Sequence, residues 1–150
     1  MDDGSSPSTE IYPSTMGCSP PNLPTGRYGH TTFVTAEPTA LVATCGGLNT
    51  QGNITASPRG NDTASCLVFD PINQRWDKSR MGNLTMPRAG GAVVQLNNIG
   101  VFIVGGALTY NRWTSDFLAA GTMDWQAGPT LPTSMSSPCA VTITPTSQGV

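Results

Sequence analysis

The chain has 150 residues, enough for one domain with a substantial core, and a formal net charge of -2 with a single lysine, Lys78. So few cations leave no basic stripe to neutralise phosphates, which excludes nucleic acid and anionic membrane surfaces as expected partners. Charged residues make up only 11% of the chain, and Ser, Thr, Gly, Asn and Pro supply the polarity, a mixture suited to short strands and turns rather than helices.

In chain order, residues 1–23 read as a polar tail: Met1-Asp2-Asp3-Gly4-Ser5-Ser6 is acidic where a secretory leader is basic and then apolar. Taken alone, that start and the absence of any apolar run near the roughly 20 residues of a membrane span point to the cytoplasm. Next comes Leu23-Pro24-Thr25-Gly26-Arg27, opening a strand that runs to Thr35. A turn at Glu37-Pro38 leads to a second strand, Ala40 to Cys45, which ends in the pair Gly46-Gly47. Leu48 to Ala64 is a long polar loop, Cys66 to Phe69 a third strand, Asp70-Pro71-Ile72-Asn73 a turn capped by its aspartate, and Trp76 opens a fourth strand.

The same order then returns. Met86-Pro87-Arg88 opens the unit, Gly91 to Leu96 is its first strand, and Asn97-Asn98 is a hairpin turn. Val101 to Val104 runs into Gly105-Gly106, Asp116 to Ala119 is a third strand, and Trp125 opens the fourth. A third opening at Leu131-Pro132 reaches Val141-Thr142-Ile143-Thr144, and Met135 stands there where the arginine is expected. The interval from glycine pair to tryptophan is 29 residues in the first unit and 19 in the second. Loops absorb such insertions cheaply and strands do not, so the segment after the glycines is a surface.

Glycine pair, tryptophan and proline-arginine opening recurring together resemble the kelch-repeat family, whose unit of about 50 residues is one four-stranded propeller blade. The resemblance implies an all-β fold, a partial kelch-type β-propeller of antiparallel blades. Residues 1–23 are then a tail or the remnant of a preceding blade, with Thr9-Glu10-Ile11-Tyr12-Pro13 similar to a blade's third strand. Blade 1 spans 24–86, blade 2 spans 87–130, and 131–150 holds the first strand of an incomplete third. Its structural positions are Gly46, Gly47, Trp76, Gly105, Gly106 and Trp125. Two blades cannot close a ring, so the expectation is a piece of a longer protein whose remaining blades cover its open faces.

Cys45 ends one strand and Cys66 begins its expected antiparallel neighbour, so the two thiols are placed to form a disulfide that stabilises the blade by roughly 3 kcal/mol. Two buried free thiols are the alternative. Cys18 and Cys139 pair only by elimination, and Cys139, at an inner-strand position, reads as a small buried thiol. Asn53, Asn61 and Asn83 each open an Asn-x-Thr glycosylation triplet, the first two in the long loop. With the cysteines they favour a secreted or extracellular parent, resembling secreted invertebrate-type kelch proteins more than intracellular adaptors whose kelch rings follow a BTB domain.

No enzyme chemistry is evident. His30 is the only histidine, the carboxylates are sparse, and Asp70 and Asp116 read as turn or strand-end caps. Galactose oxidase carries kelch-like blades, but its copper ligands and tyrosine crosslink have no match here. No cofactor or metal is expected. Arg27 and Arg88, at matching positions, read as structural bridges between blades or, alternatively, as holders of an anionic ligand. The surface after the second glycine pair carries Tyr110, Arg112 and Trp113, residue types enriched at binding hot spots. The expected function is a non-catalytic interaction or adhesion scaffold binding a protein or glycan through that loop. The alternatives are a portion of a kelch-containing oxidase or glycan-processing enzyme, or an intracellular kelch adaptor.

Overall fold

The computed structural model describes residues 21–35, 40–49, 61–106, 113–135 and 138–142, and every regular element among them is a strand. The first half contributes β1 (Thr31–Val34), β2 (Val42–Cys45), β3 (Leu48–Asn49), β4 (Asn61–Asp62), β5 (Cys66–Asp70) and β6 (Arg75–Asp77). The second contributes β7 (Ala92–Leu96), β8 (Gly100–Val104), β9 (Ser115–Ala119) and β10 (Trp125–Ala127). Two four-stranded antiparallel sheets result, β1-β2-β5-β6 and β10-β9-β8-β7, and the β3-β4 pair stands apart. The protein is therefore all-β, and neither sheet closes on itself.

Short turns dictate this meander. Between β5 and β6, Asp70 Oδ1 accepts the backbone N–H groups of Ile72 (3.0 Å) and Asn73 (3.1 Å), which fixes the reversal the sequence predicts there. Between β7 and β8, Asn98 adopts φ 60°, a conformation asparagine tolerates, and Ile99 N–H closes the turn on Leu96 O.

The registers of the two sheets coincide. Thr31 faces Cys45 and Cys45 faces Cys66 in the first; Ala92 faces Val104 and Val104 faces Ser115 in the second. Phe69 opposite Trp76 corresponds likewise to Leu118 opposite Trp125. Cys45 thus occupies the station of Val104, and Cys66 that of Ser115.

Side chains alternate across a strand, so this correspondence shows how the sheets stack. The core between them takes Ala43, Cys45, Cys66 and Val68 from the first sheet but Val101, Ile103, Leu118 and Trp125 from the second. These are opposite faces of equivalent strands, so the sheets stack face to back, as successive units of a repeat do and mirror-related sheets do not. Phe33 and Trp125 lock the interface edge to face, centroids 5.6 Å apart and planes at 90°. Met81 and Leu84, from the connection between sheets, seal the same core. Each large apolar side chain buried there contributes about 1.5–3 kcal/mol. On the far face of the second sheet, Phe102 and Phe117 stack 4.4 Å apart and are only half-buried.

Two expectations need correction. The segment from Leu48 to Ala64 is not loop throughout: its ends pair as β3 and β4, Leu48 opposite Asp62. Of the strand expected in the third unit, Val141 to Thr144, only Val141 and Thr142 are among the described residues, and they lie against the second sheet, where Thr142 Oγ1 donates to Gln95 O at 3.0 Å. Cys139, expected buried on that strand, is an exposed free thiol, so the pairing with Cys18 is not made; Cys18 itself lies outside the described residues.

Candidate functional site

Each sheet is held at its glycine pair by the opening segment of the next unit. Gly47 N–H donates to Arg88 O at 2.7 Å, and Gly106 N–H donates to Met135 O at 3.1 Å. Gly46 and Gly105 have φ of 71° and 62°, and a Cβ on either would strike the same carbonyls, of Arg88 and Met135. Met135 thus stands where the sequence places it, at the station of Arg88, because this contact uses main chain and needs no guanidinium.

The arginine side chains do different work from that expected. They turn back into their own sheets, and the bridge to the preceding sheet is made by the main-chain carbonyl. Arg88 is 2% exposed. Its Nη1 donates to Gly105 O (2.8 Å) and Thr114 O (3.0 Å), its Nη2 to Thr114 Oγ1 (2.8 Å), and its Nε to Asp116 Oδ2 (2.5 Å). Asp116 is fully buried and also accepts from Thr85 N–H (2.9 Å) and Thr85 Oγ1. Asp116 is therefore no strand-end cap: it is the carboxylate of a buried ion pair that ties the opening of the second unit to β9. Every polar atom of so dry a pair must be matched for it to be tolerated.

Arg27 repeats part of this pattern. Its Nη1 donates to Gly46 O (3.1 Å) and Ser65 O (3.3 Å), and its Nη2 to Ser65 Oγ (3.3 Å). Burial pushes its pKa down from the ordinary value. Beside it opens a cleft of about 480 Å³ lined in part by Arg27, Ser65, Leu67, Trp76 and Lys78. Trp76 Nε1 donates to Pro21 O at 3.1 Å, which sets the indole at the edge of this cleft.

Cys45 and Cys66 form the expected disulfide, directly opposite one another across β2 and β5 and each 1% exposed. Of the loop residues proposed to meet a partner, Trp113 is 49% exposed, so its ring is not folded into the sheet, while Tyr110 and Arg112 lie outside the described residues. Asn83 is exposed on the connection between sheets, with the Thr85 of its triplet held by Asp116. Asn61 opens β4, and Asn53 lies outside the described residues. Trp125 is buried between the sheets; Trp76 is half-buried on the far face of the first, 5.5 Å from the Phe69 ring. Partial desolvation of a side chain that is still exposed is the main reason the His30 pKa falls below its ordinary value, with the nearby Arg27 charge adding to the fall and a backbone hydrogen bond to Arg27 opposing it. Among the described residues no three His, Cys, Asp or Glu side chains gather to hold a metal, and no helix is long and apolar enough to cross a membrane.

The Arg88–Asp116 pair was within reach of the sequence. Asp116 follows the second glycine pair at the start of a strand, and Leu67 occupies the matching place in the first unit. A carboxylate replacing a core leucine at a repeat position needs a buried cation, and Arg88 is the arginine that opens the same unit.

No family model matches the chain, and no curated protein matches it. The class is defined by the fold and its repeated contact alone: an all-β protein of two equivalent four-stranded antiparallel sheets stacked face to back, each clipped at a glycine pair by the opening of the unit that follows.

Proposed function

We propose that these sheets are blades of a kelch-type propeller, and that the protein is a non-catalytic interaction or adhesion scaffold, secreted or at the cell surface. On this reading the loop that links β8 to β9 meets a protein or glycan ligand, and further blades cover the half-buried Phe102–Phe117 face. The observation that carries the reading is the face-to-back stacking of two sheets in matching register, which gives a rigid frame with a half-exposed tryptophan, Trp113, on one connecting loop. Rigid frames with variable loops suit recognition because the loop alone bears the cost of adaptation. The buried Cys45–Cys66 disulfide supports an oxidising compartment.

The test compares wild type with a Tyr110→Ala, Arg112→Ala, Trp113→Ala variant on immobilised glycans and purified extracellular proteins, with thermal unfolding as the control for folding. Binding by wild type that the variant loses at unchanged melting temperature supports the reading. Equal binding by both, or none by either, refutes the role of the loop.

A further inference from the structure

Asn83-Leu84-Thr85, on the connection between the two sheets, is a triplet of the kind that accepts an N-linked oligosaccharide. The fold treats its three residues differently. Asn83 is exposed, whereas Leu84, 4% exposed, belongs to the core between the sheets. Thr85 gives both its N–H (2.9 Å) and its hydroxyl to Asp116 Oδ1, on a fully buried carboxylate of β9. The main chain is also tied: Gly82 N–H donates to Met123 O at 2.8 Å and Leu84 N–H to Ala64 O at 2.9 Å.

The acceptor rule demands a hydroxyl at the third place, so the transferring enzyme must reach that hydroxyl as well as the asparagine amide. In the folded protein the hydroxyl is engaged by Asp116. Lifting the segment away would expose Leu84 and leave a buried carboxylate short of its donors, which is costly. An exposed asparagine in a triplet closed this way is a substrate only before β9 docks. Asp116 follows Thr85 by 31 residues, and at a synthesis rate of about 5–20 residues per second the triplet stays open for about 2–6 s after it is made. Once attached, the sugar leaves these contacts undisturbed, because the side chain that carries it already stands at the surface.

We propose that Asn83 carries an N-linked glycan, added to the nascent chain before the second sheet closes over Thr85. In the transfer Asn83 Nδ2 bonds to the anomeric carbon of an oligosaccharide pyrophosphate lipid. The bond from that carbon to the phosphate oxygen breaks, the lipid pyrophosphate departs as the leaving group, and one amide proton passes to the enzyme's base. The proposal rests on the secreted reading and adds to it the residue modified and the order of modification and folding.

The test has two arms. In the first, the full chain is expressed in eukaryotic cells behind an added secretory leader, and tryptic peptides are mapped after release of glycans by peptide N-glycosidase in ¹⁸O-water. The leader supplies entry to the secretory pathway, so an empty Asn83 speaks against the site and not against the location. In the second, unmodified folded chain and a synthetic peptide of residues 79–88 are each given to a purified single-subunit oligosaccharyltransferase with lipid-linked oligosaccharide. Asn83 converted to ¹⁸O-aspartate in most of the secreted chains, and transfer to the peptide at least tenfold faster than to Asn83 of the folded chain, support the proposal. Asn83 unmodified in the secreted chain overturns the site. Folded chain and peptide accepting sugar at equal rates overturns the order.

Discussion

Asp116→Ala is the single substitution with the largest expected cost. The carboxylate is fully buried and receives Arg88 Nε, Thr85 N–H and Thr85 Oγ1. Its removal leaves the Arg88 guanidinium, 2% exposed, as an uncompensated buried charge and strands the Thr85 amide. Breaking one side of a buried pair costs about 3–5 kcal/mol. For a chain of 150 residues each kcal/mol lowers the melting temperature by roughly 2–4 °C, so the variant melts about 10 °C below wild type. The double variant Arg88→Met, Asp116→Leu exchanges the pair for apolar side chains and recovers much of the loss. Recovery is incomplete because Gly105 O and Thr114 O lose the donors that Arg88 Nη1 supplies. A double-mutant cycle from urea unfolding therefore gives a coupling of about 2 kcal/mol or more between the two positions. A loss below about 1 kcal/mol in Asp116→Ala, or single costs that simply add in the double variant, refutes the reasoning.

Other expectations follow from the same contacts. Replacing Cys45 and Cys66 by alanine opens a closed loop with a sequence separation of 21 residues and lowers stability by roughly 3 kcal/mol, read from the urea midpoint; an unchanged midpoint contradicts it. In the folded, unreduced protein a maleimide labels Cys139 and neither Cys45 nor Cys66, as peptide mass mapping will show. His30 has its pKa lowered in the folded state, so the fold favours the neutral ring. The contribution is complete above the ordinary value near 6.5 and is lost as pH falls from there toward the folded value. His30→Gln flattens the stability profile in that window, and an identical profile in the variant removes the explanation. Asp70 is held below the usual carboxylate range, first by the Asn73 side chain, then by backbone N–H groups of the turn. Its contribution stands above that range and is lost as pH falls through the folded value, so Asn73→Ala makes unfolding begin at a less acidic pH.

Much of this architecture is legible in the chain because the repeat prints it twice. Leu41 to Gly47 and Val101 to Gly106 mark equivalent strands, and the antiparallel return of β5 onto β2 brings Cys66 opposite Cys45. What stayed hidden depends on which atoms of a residue act. Arg27 and Arg88 look alike as letters, yet their side chains serve their own sheets while the Arg88 carbonyl serves the preceding one, a division no residue type encodes. Asp116 reads as a cap because aspartate at a strand end usually is one; only the Arg88 side chain, 28 residues earlier, makes it a core residue. The partner loop is the least legible part, since Tyr110 and Arg112 are composition without placement and Trp113 gives only its exposure.

The stacking of equivalent sheets is tested most directly by through-space magnetisation transfer across their interface. Phe33 on β1 and Trp125 on β10 come from different sheets and stand 5.6 Å apart between ring centroids. Strong nuclear Overhauser effects between the Phe33 ring protons and the Trp125 indole protons, together with effects between the Ala43 methyl and the side chains of the same core, are the predicted result. Effects confined within each sheet, with Phe33 and Trp125 silent toward one another, would contradict the account.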